Sequence, residues 1–571
     1  MYSTLDCISL YHFNMNIKHT NWYKNVVFYQ IYPRSFADAN NDGMGDILGI
    51  ISKLDYLHDL GIGAIWLSPV YDSPQRDNGY DIANYRDIWK PFGTLDDMKK
   101  LISECHKRNI KLVMDLVVNH TSDQHLWFKS AINDINSPYR DYYIIKPGRK
   151  NGKKPPNNWT SFFGGKAWEK IPNSNDYYLH LFAKEQPDLN WENPKLRQEV
   201  INILRYWMDL GIDGFRCDVI TLISKDQRFK NGFPTPVLCG KKYYVMGPKI
   251  HEYLHLLYDK AYRDYDVMTV GETVLSSIND VRLLTDPKRE ELDMVFNFSH
   301  TDVDNYMGVK YFSRKFKLTR FKKRLAKYQY ALSDGCGWNS LFIENHDQRR
   351  SAGRFGTDLN VYREKSAKSL ATSYFFLQGT PFIYQGQEIG MQNLDYESID
   401  DFADIEIHNM YNLTKKNKLY RWLIGKHLFE NSRDNARTPM QWDNSEYAGF
   451  GNTKPWLKVN KNKEFINVKD ELKDENSILN YYKKLIRIKT ELSVVRDGKF
   501  TLLHPHNRNL FIYKREDEKT IMIVIASFSK KKLKNIVKKD VQGFKLILTN
   551  DSDKDINYIN PYTARVYIKE K

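Results

Sequence analysis

Short apolar runs recur along the chain, and each is followed by a segment with helical periodicity. The runs are rich in β-branched and aromatic residues, as strands are, and segments such as LDDMKKLISECHKRN repeat apolar residues at helical spacing. Eight strands that alternate with helices predict an α/β fold, a (β/α)₈ TIM barrel. The runs are VVFYQIYPRSF (26–36), GAIWLSPV (63–70), KLVMDLVVNH (111–120), GFRCDVI (214–220), DVMTVGE (266–272), LDMVFNFSH (292–300), SLFIENHD (340–347) and TPFIYQGQEIG (380–390).

Two parts of the chain depart from this alternation. About 70 residues rich in Asn, Gly, Pro and aromatic residues follow the third strand, which predicts an inserted subdomain over 122–193. Beyond residue 493 short alternating strands predict a C-terminal antiparallel β-sandwich domain over 494–571. The barrel is then expected over 15–121 and 194–493, and residues 1–14 are interpreted as an N-terminal extension.

Composition narrows the choice of partners. The 571 residues are 41% hydrophobic, but no apolar run reaches the roughly 20 residues that span a bilayer, so no membrane partner is expected. The net charge of +16 comes from lysines spread along the whole chain without a nucleic-acid-binding motif, so no nucleic-acid partner is expected.

The cysteines and the N-terminus bear on location. The five cysteines are odd in number and scattered, with no C-x-x-C pair, which favours free thiols in a reducing cytoplasm. The first residues lack a basic start, a long apolar centre and a small-residue cleavage site, so they do not indicate a secretory signal. A cytoplasmic protein is the prediction.

Polar side chains follow four of the predicted strands, at the ends that a barrel gathers on one face. Converging carboxylates without a Ser or Cys nucleophile motif indicate glycosyl transfer, in which one carboxylate attacks the anomeric carbon and another protonates the departing oxygen. Arg216 and Asp218 share one face of a strand, so the arginine is expected to keep Asp218 ionised. A buried ion pair that only fixes local geometry is the alternative. The strand-end residues are Asn119, His120, Arg216, Asp218, Glu272, His346 and Asp347.

The stretch DANNDGMGD, residues 38–46, has the composition of a metal-binding loop. Asp38, Asn40, Asp42 and Asp46 supply oxygen atoms in a loop bent by glycines, which suits Ca²⁺, with Mg²⁺ as the second choice. Gly49 stands where an EF-hand has its glutamate, and a solvated acidic turn is the alternative.

Six motifs make the chain similar to the α-amylase family of glycoside hydrolases, and within it to the oligo-1,6-glucosidase and α-glucosidase group, from about residue 21 to the C-terminus. The resemblance implies that Asp218 is the nucleophile, Glu272 the general acid and base, and Asp347 the stabiliser of the transition state. No organic cofactor is implied. The motifs are DLVVNH (115–120), QPDLNW (186–191), GFRCDVI (214–220), TVGET (269–273), ENHDQ (344–348) and RDNARTPMQWD (433–443).

The same resemblance implies a set of residues that hold the terminal glucose and the metal. The metal loop would comprise Asp38, Asn40, Asp42, the carbonyl of Met44, and Asp46. For Asp77, Tyr80 and Arg437, the residues alone would indicate only a polar turn and a solvated arginine. The substrate-binding residues would be Asp77, Tyr80, His120, Phe163, Phe182, Gln186, Arg216, His346 and Arg437.

Position 219 bears on the bond that is cut. Valine directly after the nucleophile resembles the members of this group that cut α-1,6 bonds, whereas Val219 as a filler of the barrel wall is the alternative. Cys217 and Arg349 depart from the group, in which methionine and proline are common at these places. The departures bear on the linkage preference and leave the reaction unchanged.

The sequence therefore predicts a retaining exo-α-glucosidase that removes α-1,6-linked glucose from isomaltose and short isomalto-oligosaccharides, acting as a monomer. A sucrose isomerase, an α-1,4-preferring α-glucosidase and a trehalose-6-phosphate hydrolase are the alternatives with the same barrel, and the last would need a basic cluster such as Lys241, Lys242 and Lys249. A non-catalytic, transporter-associated barrel is the alternative from another class.

Overall fold

A computed structural model describes residues 19–235, 238–306, 309–553 and 555–571. The expected N-terminal extension, residues 1–14, lies outside the described residues. Eight parallel strands form one sheet in the order β6-β5-β4-β3-β2-β1-β8-β7. The strands are β1 (Phe28–Ile31), β2 (Ala64–Leu67), β3 (Lys111–Leu116), β4 (Gly214–Cys217), β5 (Met268–Thr273), β6 (Met294–Asn297), β7 (Ser340–Leu341) and β8 (Thr380–Tyr384).

The two ends of this sheet meet, which closes the barrel. A single parallel bridge between Val295 and Asn339 joins β6 to the residue just before β7. Every one of the eight strands overlaps a run predicted from the sequence. The predicted (β/α)₈ barrel is confirmed.

Helices follow each strand and cover the outside of the barrel. The helix Leu95–Lys107 shows how the sequence sets where a helix begins. Thr94 and Asp97 form a reciprocal capping box at its start. The longer helices are Leu95–Lys107, Leu126–Asn133, Pro194–Asp209, Ile250–Leu257, Ile278–Thr285, Leu318–Ala331, Arg363–Phe375, Ile405–Lys416 and Ile478–Glu491; shorter ones are Ile47–Ser52, Leu54–Leu60, Arg149–Gly152, Ser351–Phe355, Lys418–Ile424, Val468–Glu471 and Ser493–Asp497.

The helix Pro194–Asp209 closes the connection from β3 to β4. Asn193 caps it by accepting a hydrogen bond from the backbone of Lys195, and Pro194 occupies its first turn. Gly211, just beyond its end, has a φ of 104°, a conformation that glycine adopts without steric cost. The chain then turns directly into β4, which carries Arg216.

The long connection after β3 forms a small lobe. Three short antiparallel strands, Ile145–Pro147, Trp168–Lys170 and Asp176–Leu179, are its sheet. Trp159 and Trp168 are buried in its apolar cluster, so they build the lobe and do not face a ligand. An antiparallel bridge from Asp188 to His120 ties the end of the lobe to the end of β3.

The C-terminal part is a five-stranded antiparallel sheet with the order β9-β10-β11-β13-β12. One of its faces packs with Val537 and Ile559 of an overlying segment. The domain boundaries at 121/122, 193/194 and 493/494 stay predictions. The strands are β9 (Lys499–Leu503), β10 (Leu510–Glu516), β11 (Thr520–Ser527), β12 (Lys545–Thr549) and β13 (Ala564–Glu570).

A helical hairpin formed by Ile405–Lys416 and Lys418–Ile424 lies in the long connection after β8. Asp404 caps its first helix by accepting the backbone N–H of Glu406 at 3.1 Å. Over the described ranges, no helix combines the length and apolar character that a membrane crossing requires.

Candidate active site

The ends of β3, β4 and β5 meet around the guanidinium of Arg216. Its Nη1 lies 2.6 Å from Oδ1 of Asp115 and 2.6 Å from Oδ1 of Asp218, and its Nη2 lies 2.8 Å from Oε2 of Glu272. Arg216 is 1% exposed and stacks over the ring of Trp66 at 5.1 Å. One cation therefore fixes the positions of three carboxyl groups from three strands.

The charge balance of this cluster bears on its protonation. Burial raises the pKa of Asp218 well above its ordinary value; Arg216 acts to lower it, and Glu272 and Asp115 act to raise it further. Burial also raises the pKa of Asp115, against the effect of Arg216. The expectation that Arg216 keeps Asp218 ionised stays a prediction: the arginine favours the charged form of Asp218, and burial and the neighbouring carboxyl groups oppose it.

His346, which follows β7, is held by two hydrogen bonds to its ring. Its Nδ1 lies 2.8 Å from the side-chain amide of Gln30 on β1, and its Nε2 lies 2.8 Å from the hydroxyl of Tyr80. The ring of Tyr80 stacks on it with centroids 5.3 Å apart. His346 and Tyr80, both predicted as sugar-binding residues, are therefore adjacent.

Asp347 lies beside three nitrogen-bearing side chains. Its Oδ1 is 2.9 Å from Arg437 and 3.2 Å from Arg433, and its Oδ2 is 3.1 Å from His346. Burial by itself would raise the pKa of Asp347, but His346, Arg433 and Arg437 together hold it well below its usual range. The Asp347 side chain keeps 29% of its surface exposed, so it faces the pocket as a charged group.

Asp77, on the loop after β2, joins the same pocket. It accepts a hydrogen bond from Gln186 at 3.1 Å and contacts Arg433 at 3.3 Å. Burial raises the pKa of Asp77 to about 6, although Arg433 and Arg437 act to lower it. Gln186 also lies 3.1 Å from Nε2 of His120, which links the lobe to the end of β3.

The aromatic residues of the lobe fall into two groups. The Phe163 and Phe182 rings lie 5.6 Å apart, and Phe182 also lies 5.2 Å from His120. Arg433 lies over the Phe163 ring at 5.3 Å. Both phenylalanines are partly exposed, so they offer apolar faces at the rim of the pocket, unlike the two buried tryptophans of the lobe.

Val219 directly follows Asp218 and has an unusual backbone conformation, with φ of 35° and ψ of 38°. Its side chain is buried in the apolar cluster of the lobe, so it does line the wall above the barrel. Its backbone N–H donates to Oε2 of Glu272 at 3.1 Å.

The loop 38–46 folds around its own carboxyl groups. Asp38 accepts the backbone N–H groups of Asn41 and Gly43, and Asp46 accepts those of Ala39, Asn40 and Gly49. In the portions of the chain described above, no three or more His, Cys, Asp or Glu side chains are arranged as a ready metal site. All the side chains and carbonyls predicted as ligands carry oxygen, so their chemistry suits Ca²⁺.

The structure thus brings together every catalytic and sugar-binding residue predicted from the sequence, and it adds others. Arg433 contacts Asp77, Asp347 and the buried Asp404, to which its Nε lies 2.9 Å away. It stands first in the motif RDNARTPMQWD, so an arginine four residues before Arg437 was the available signal. Asp115 was visible as a charge inside an apolar strand, the same anomaly that marks Arg216. Gln30, Trp66 and Asp404 gave no signal.

Comparison with known proteins agrees with this geometry. The chain matches the family described as alpha amylase, catalytic domain, over residues 30–498. It is 50% identical over 518 residues to an oligo-1,6-glucosidase of Parageobacillus thermoglucosidasius, covering 89% of this chain and 91% of that protein. It superposes on the crystal structure of a mutant form of a trehalose-6-phosphate hydrolase of Bacillus licheniformis with a TM-score of 0.90 and 43% identity, covering 96% of this chain and 99% of that one. An isomaltulose synthase of Klebsiella sp. LX3 gives a TM-score of 0.92 and 39% identity, with 96% and 99% covered. The barrel, the carboxyl groups around Arg216 and these relatives lead to one conclusion: the chain belongs to the α-amylase family.

Proposed function

We propose that this protein is a retaining exo-α-glucosidase that removes α-1,6-linked glucose from the non-reducing end of isomaltose and short isomalto-oligosaccharides. The observation that carries the proposal is the contact of one guanidinium, that of Arg216, with both Asp218 and Glu272. Two carboxyl groups held so close fit a retaining mechanism, which needs a separation of roughly 5 Å. The relative at 50% identity bears the name oligo-1,6-glucosidase.

In the first step Asp218 attacks the anomeric carbon of the terminal glucose. Its Oδ1 is engaged by Arg216, so Oδ2 forms the new bond. As the bond between the anomeric carbon and the glycosidic oxygen breaks, Glu272 gives its proton to that oxygen and the leaving sugar departs as an alcohol. The products of this step are a covalent glucosyl ester on Asp218 and an ionised Glu272.

In the second step a water molecule replaces the leaving sugar. Glu272 removes a proton from the water, the water oxygen bonds to the anomeric carbon, and Asp218 leaves as a carboxylate. Because each step inverts the anomeric carbon, the glucose is released with its original α configuration. Glu272 ends protonated, ready for the next cycle.

Asp347 acts on the sugar ring between these events. Its charge is maintained by Arg433, Arg437 and His346, so it accepts hydrogen bonds from ring hydroxyls whose acidity grows as positive charge develops on the ring. Asp77 and Gln186 offer further polar contacts on the same side, and Phe163 and Phe182 limit the pocket with apolar faces.

The linkage preference rests on Val219 and on the names of the relatives. A buried valine beside the nucleophile narrows the space near the leaving sugar, which favours the flexible α-1,6 bond. A trehalose-6-phosphate hydrolase is the second candidate, because a relative of that name superposes at 43% identity. The basic cluster that a phosphate would require finds little support: Lys249 pairs with Glu192, and Lys241 and Lys242 are exposed.

A substrate panel tests the proposal. Purified protein is incubated with isomaltose, panose, maltose, sucrose, trehalose and trehalose 6-phosphate, and the released sugars are separated and quantified. We expect the highest kcat/KM for isomaltose and α-glucose as the first anomer seen by NMR. A higher kcat/KM for trehalose 6-phosphate, or conversion of sucrose into an isomer, would replace the proposal by the corresponding alternative.

We further propose that the loop 38–46 holds Ca²⁺ through Asp38, Asn40, Asp42, the carbonyl of Met44, and Asp46, with Mg²⁺ as the weaker choice. The oxygen-only donor set supports this, and the ion would tie the loop to the segment after residue 449, where the backbone N–H of Asp38 donates to the carbonyl of Phe450. Addition of Ca²⁺ to chelator-treated protein should raise the Tm, and Asp42→Ala should remove that rise.

We also propose that the protein is a monomer and that it is located in the cytoplasm. Cys105, Cys217, Cys239 and Cys336 are free thiols, which suits a reducing compartment. Light scattering of the purified protein tests the monomer, and cell fractionation tests the location.

A further inference from the structure

Val219 has a backbone conformation that valine rarely adopts. Its φ of 35° and ψ of 38° lie in the left-handed region, where the branched side chain crowds the backbone. Such a residue is strained and persists only where its surroundings enforce the conformation. The residue directly follows the nucleophile, so the strain lies at the centre of the site.

The chain is fixed on both sides of this residue. The backbone N–H of Asp218 donates to the carbonyl of Leu116 at 2.9 Å, and that of Leu222 donates to the carbonyl of Val219 at 2.9 Å. The Val219 side chain is 6% exposed and belongs to the apolar cluster that contains Trp159 and Tyr244. Packing by the lobe therefore holds Val219 in a conformation that it would otherwise leave.

The result of this conformation is a hydrogen bond to the second carboxyl group. The N–H of Val219 lies 3.1 Å from Oε2 of Glu272, and Nη2 of Arg216 lies 2.8 Å from the same oxygen. An oxygen that accepts from two donors is a poor place for a proton, because the added hydrogen would face them. The proton that Glu272 delivers is therefore carried by Oε1.

We propose that Val219 is a positioning residue that acts through its backbone N–H: together with Arg216 it locks Oε2 of Glu272, so that Oε1 carries the proton toward the glycosidic oxygen. This inference rests on the proposed glucosidase function. It gives the strained backbone a role that is separate from any effect of the valine side chain on linkage preference.

The direct test removes only the N–H. Replacing Val219 by its α-hydroxy acid analogue, through nonsense suppression, changes the amide to an ester and keeps the side chain. The matched control is the same change at Leu222, which breaks a backbone hydrogen bond of the same turn but leaves Glu272 untouched. For each protein, kcat/KM is measured on isomaltose, whose leaving sugar needs a proton, and on 4-nitrophenyl α-glucoside, whose leaving group does not.

The expected result is a selective loss. The ester at 219 should lower kcat/KM on isomaltose about 10–100-fold, the range for a hydrogen bond to a charged group, and on the nitrophenyl substrate less than about threefold. The ester at Leu222 should lower both equally or not at all. Equal losses on both substrates for the ester at 219, or no loss, would overturn the inference.

Val219→Gly supplies a second test by ordinary mutagenesis. Glycine keeps the N–H and tolerates the positive φ, so the ratio of the two kcat/KM values should stay within about threefold of that of the unmodified protein. A fall in the ratio as large as that expected for the ester would assign the effect to the side chain and overturn the inference. The unmodified protein is assayed first: if it hydrolyses none of the disaccharides in the panel, the proposed function itself fails.

Discussion

The two sides of the sugar pocket differ in their balance of charge. Around Arg216, one cation contacts Asp115, Asp218 and Glu272, and burial raises the pKa of Asp218. Around Asp347, two arginines and His346 contact one carboxyl group, and its pKa is lowered despite burial.

One pocket therefore holds carboxyl groups in two different electrostatic environments. Around Arg216, where three carboxyl groups share one guanidinium, burial and the neighbouring carboxyl groups raise the pKa of Asp218, and burial raises that of Asp115. Around Asp347, Arg433, Arg437 and His346 hold the pKa of the carboxyl group down, which the proposed stabilisation of a positively charged ring requires. Asp347 contacts two guanidinium groups and Asp218 contacts one, although Arg433 is also shared with Asp77 and Asp404.

The largest effect is expected when a reacting carboxyl group is removed. Asp218→Asn and Glu272→Gln should each lower kcat on isomaltose by at least about 10³-fold, because in the proposed mechanism one change removes the nucleophile and the other the acid. Circular dichroism should show an unchanged fold. Near-normal turnover in either variant would refute the assigned role.

Removal of a cation from beside Asp347 should reduce the difference in carboxyl pKa between the two sides of the pocket. Arg433→Gln withdraws one of the guanidinium groups that hold the pKa of Asp347 down, so kcat/KM should fall about 10²-fold and its acid limb should move to higher pH. Arg354→Gln is the control, since Arg354 pairs with the buried Asp304. The control should lose thermal stability and keep its pH profile. If the acid limb of the Arg433 variant stayed at the same pH, Arg433 would not be what holds the pKa of Asp347 down.

The pH dependence should separate activity from stability at Asp77. Its pKa is raised to about 6, so the carboxylate needed to accept sugar hydroxyls forms only above that pH, and kcat/KM should fall about tenfold per pH unit below it. For stability the sign is opposite: a raised carboxyl pKa favours the protonated folded state, and this contribution is lost as the pH rises through about 6.

The Asp77→Asn variant checks this sign. Its Tm should depend less on pH between about pH 4 and about pH 6 than the Tm of the unmodified protein, because the pKa of Asp77 is about 4 in the unfolded and about 6 in the folded protein. If the Tm of the variant depended more steeply on pH, folding would not raise the pKa of Asp77.

The smallest effect is expected from the side chain of Val219, which belongs to neither charge cluster. Val219→Ala or Val219→Thr should raise activity on maltose relative to isomaltose by a few-fold, roughly what one or two methyl groups in an apolar wall contribute. The two substrates are assayed side by side with each variant. An unchanged ratio would leave the side chain with only its packing role.

The pocket residues at strand ends were predicted from their positions, whereas most of its loop residues were predicted only through the family resemblance or were missed. Arg216, Asp218 and Glu272 stand at the ends of apolar runs, and parallel strands bring such ends together by geometry alone. Arg433 and Asp404 lie in the long connection after β8, where no periodicity relates position in the chain to position in space. Arg437, like Asp77, Tyr80 and Gln186, was predicted only through the family resemblance.

The surroundings of Asp218 were also beyond the sequence. An arginine two residues from an aspartate indicated a stabilised charge, and the sequence could not show that Asp115 and Glu272 share the same guanidinium. Their proximity depends on the register of three strands, which only the folded barrel defines.

Closure of the barrel through the single bridge between Val295 and Asn339 makes the junction of β6 and β7 the place with the fewest backbone bonds to break. Asp347 follows β7, whereas Asp218 follows β4 and Glu272 lies in β5, two strands in the continuous part of the sheet. Under rising denaturant the loss of turnover should therefore precede the loss of far-UV ellipticity, so that the enzyme fails while most of its helices are still intact.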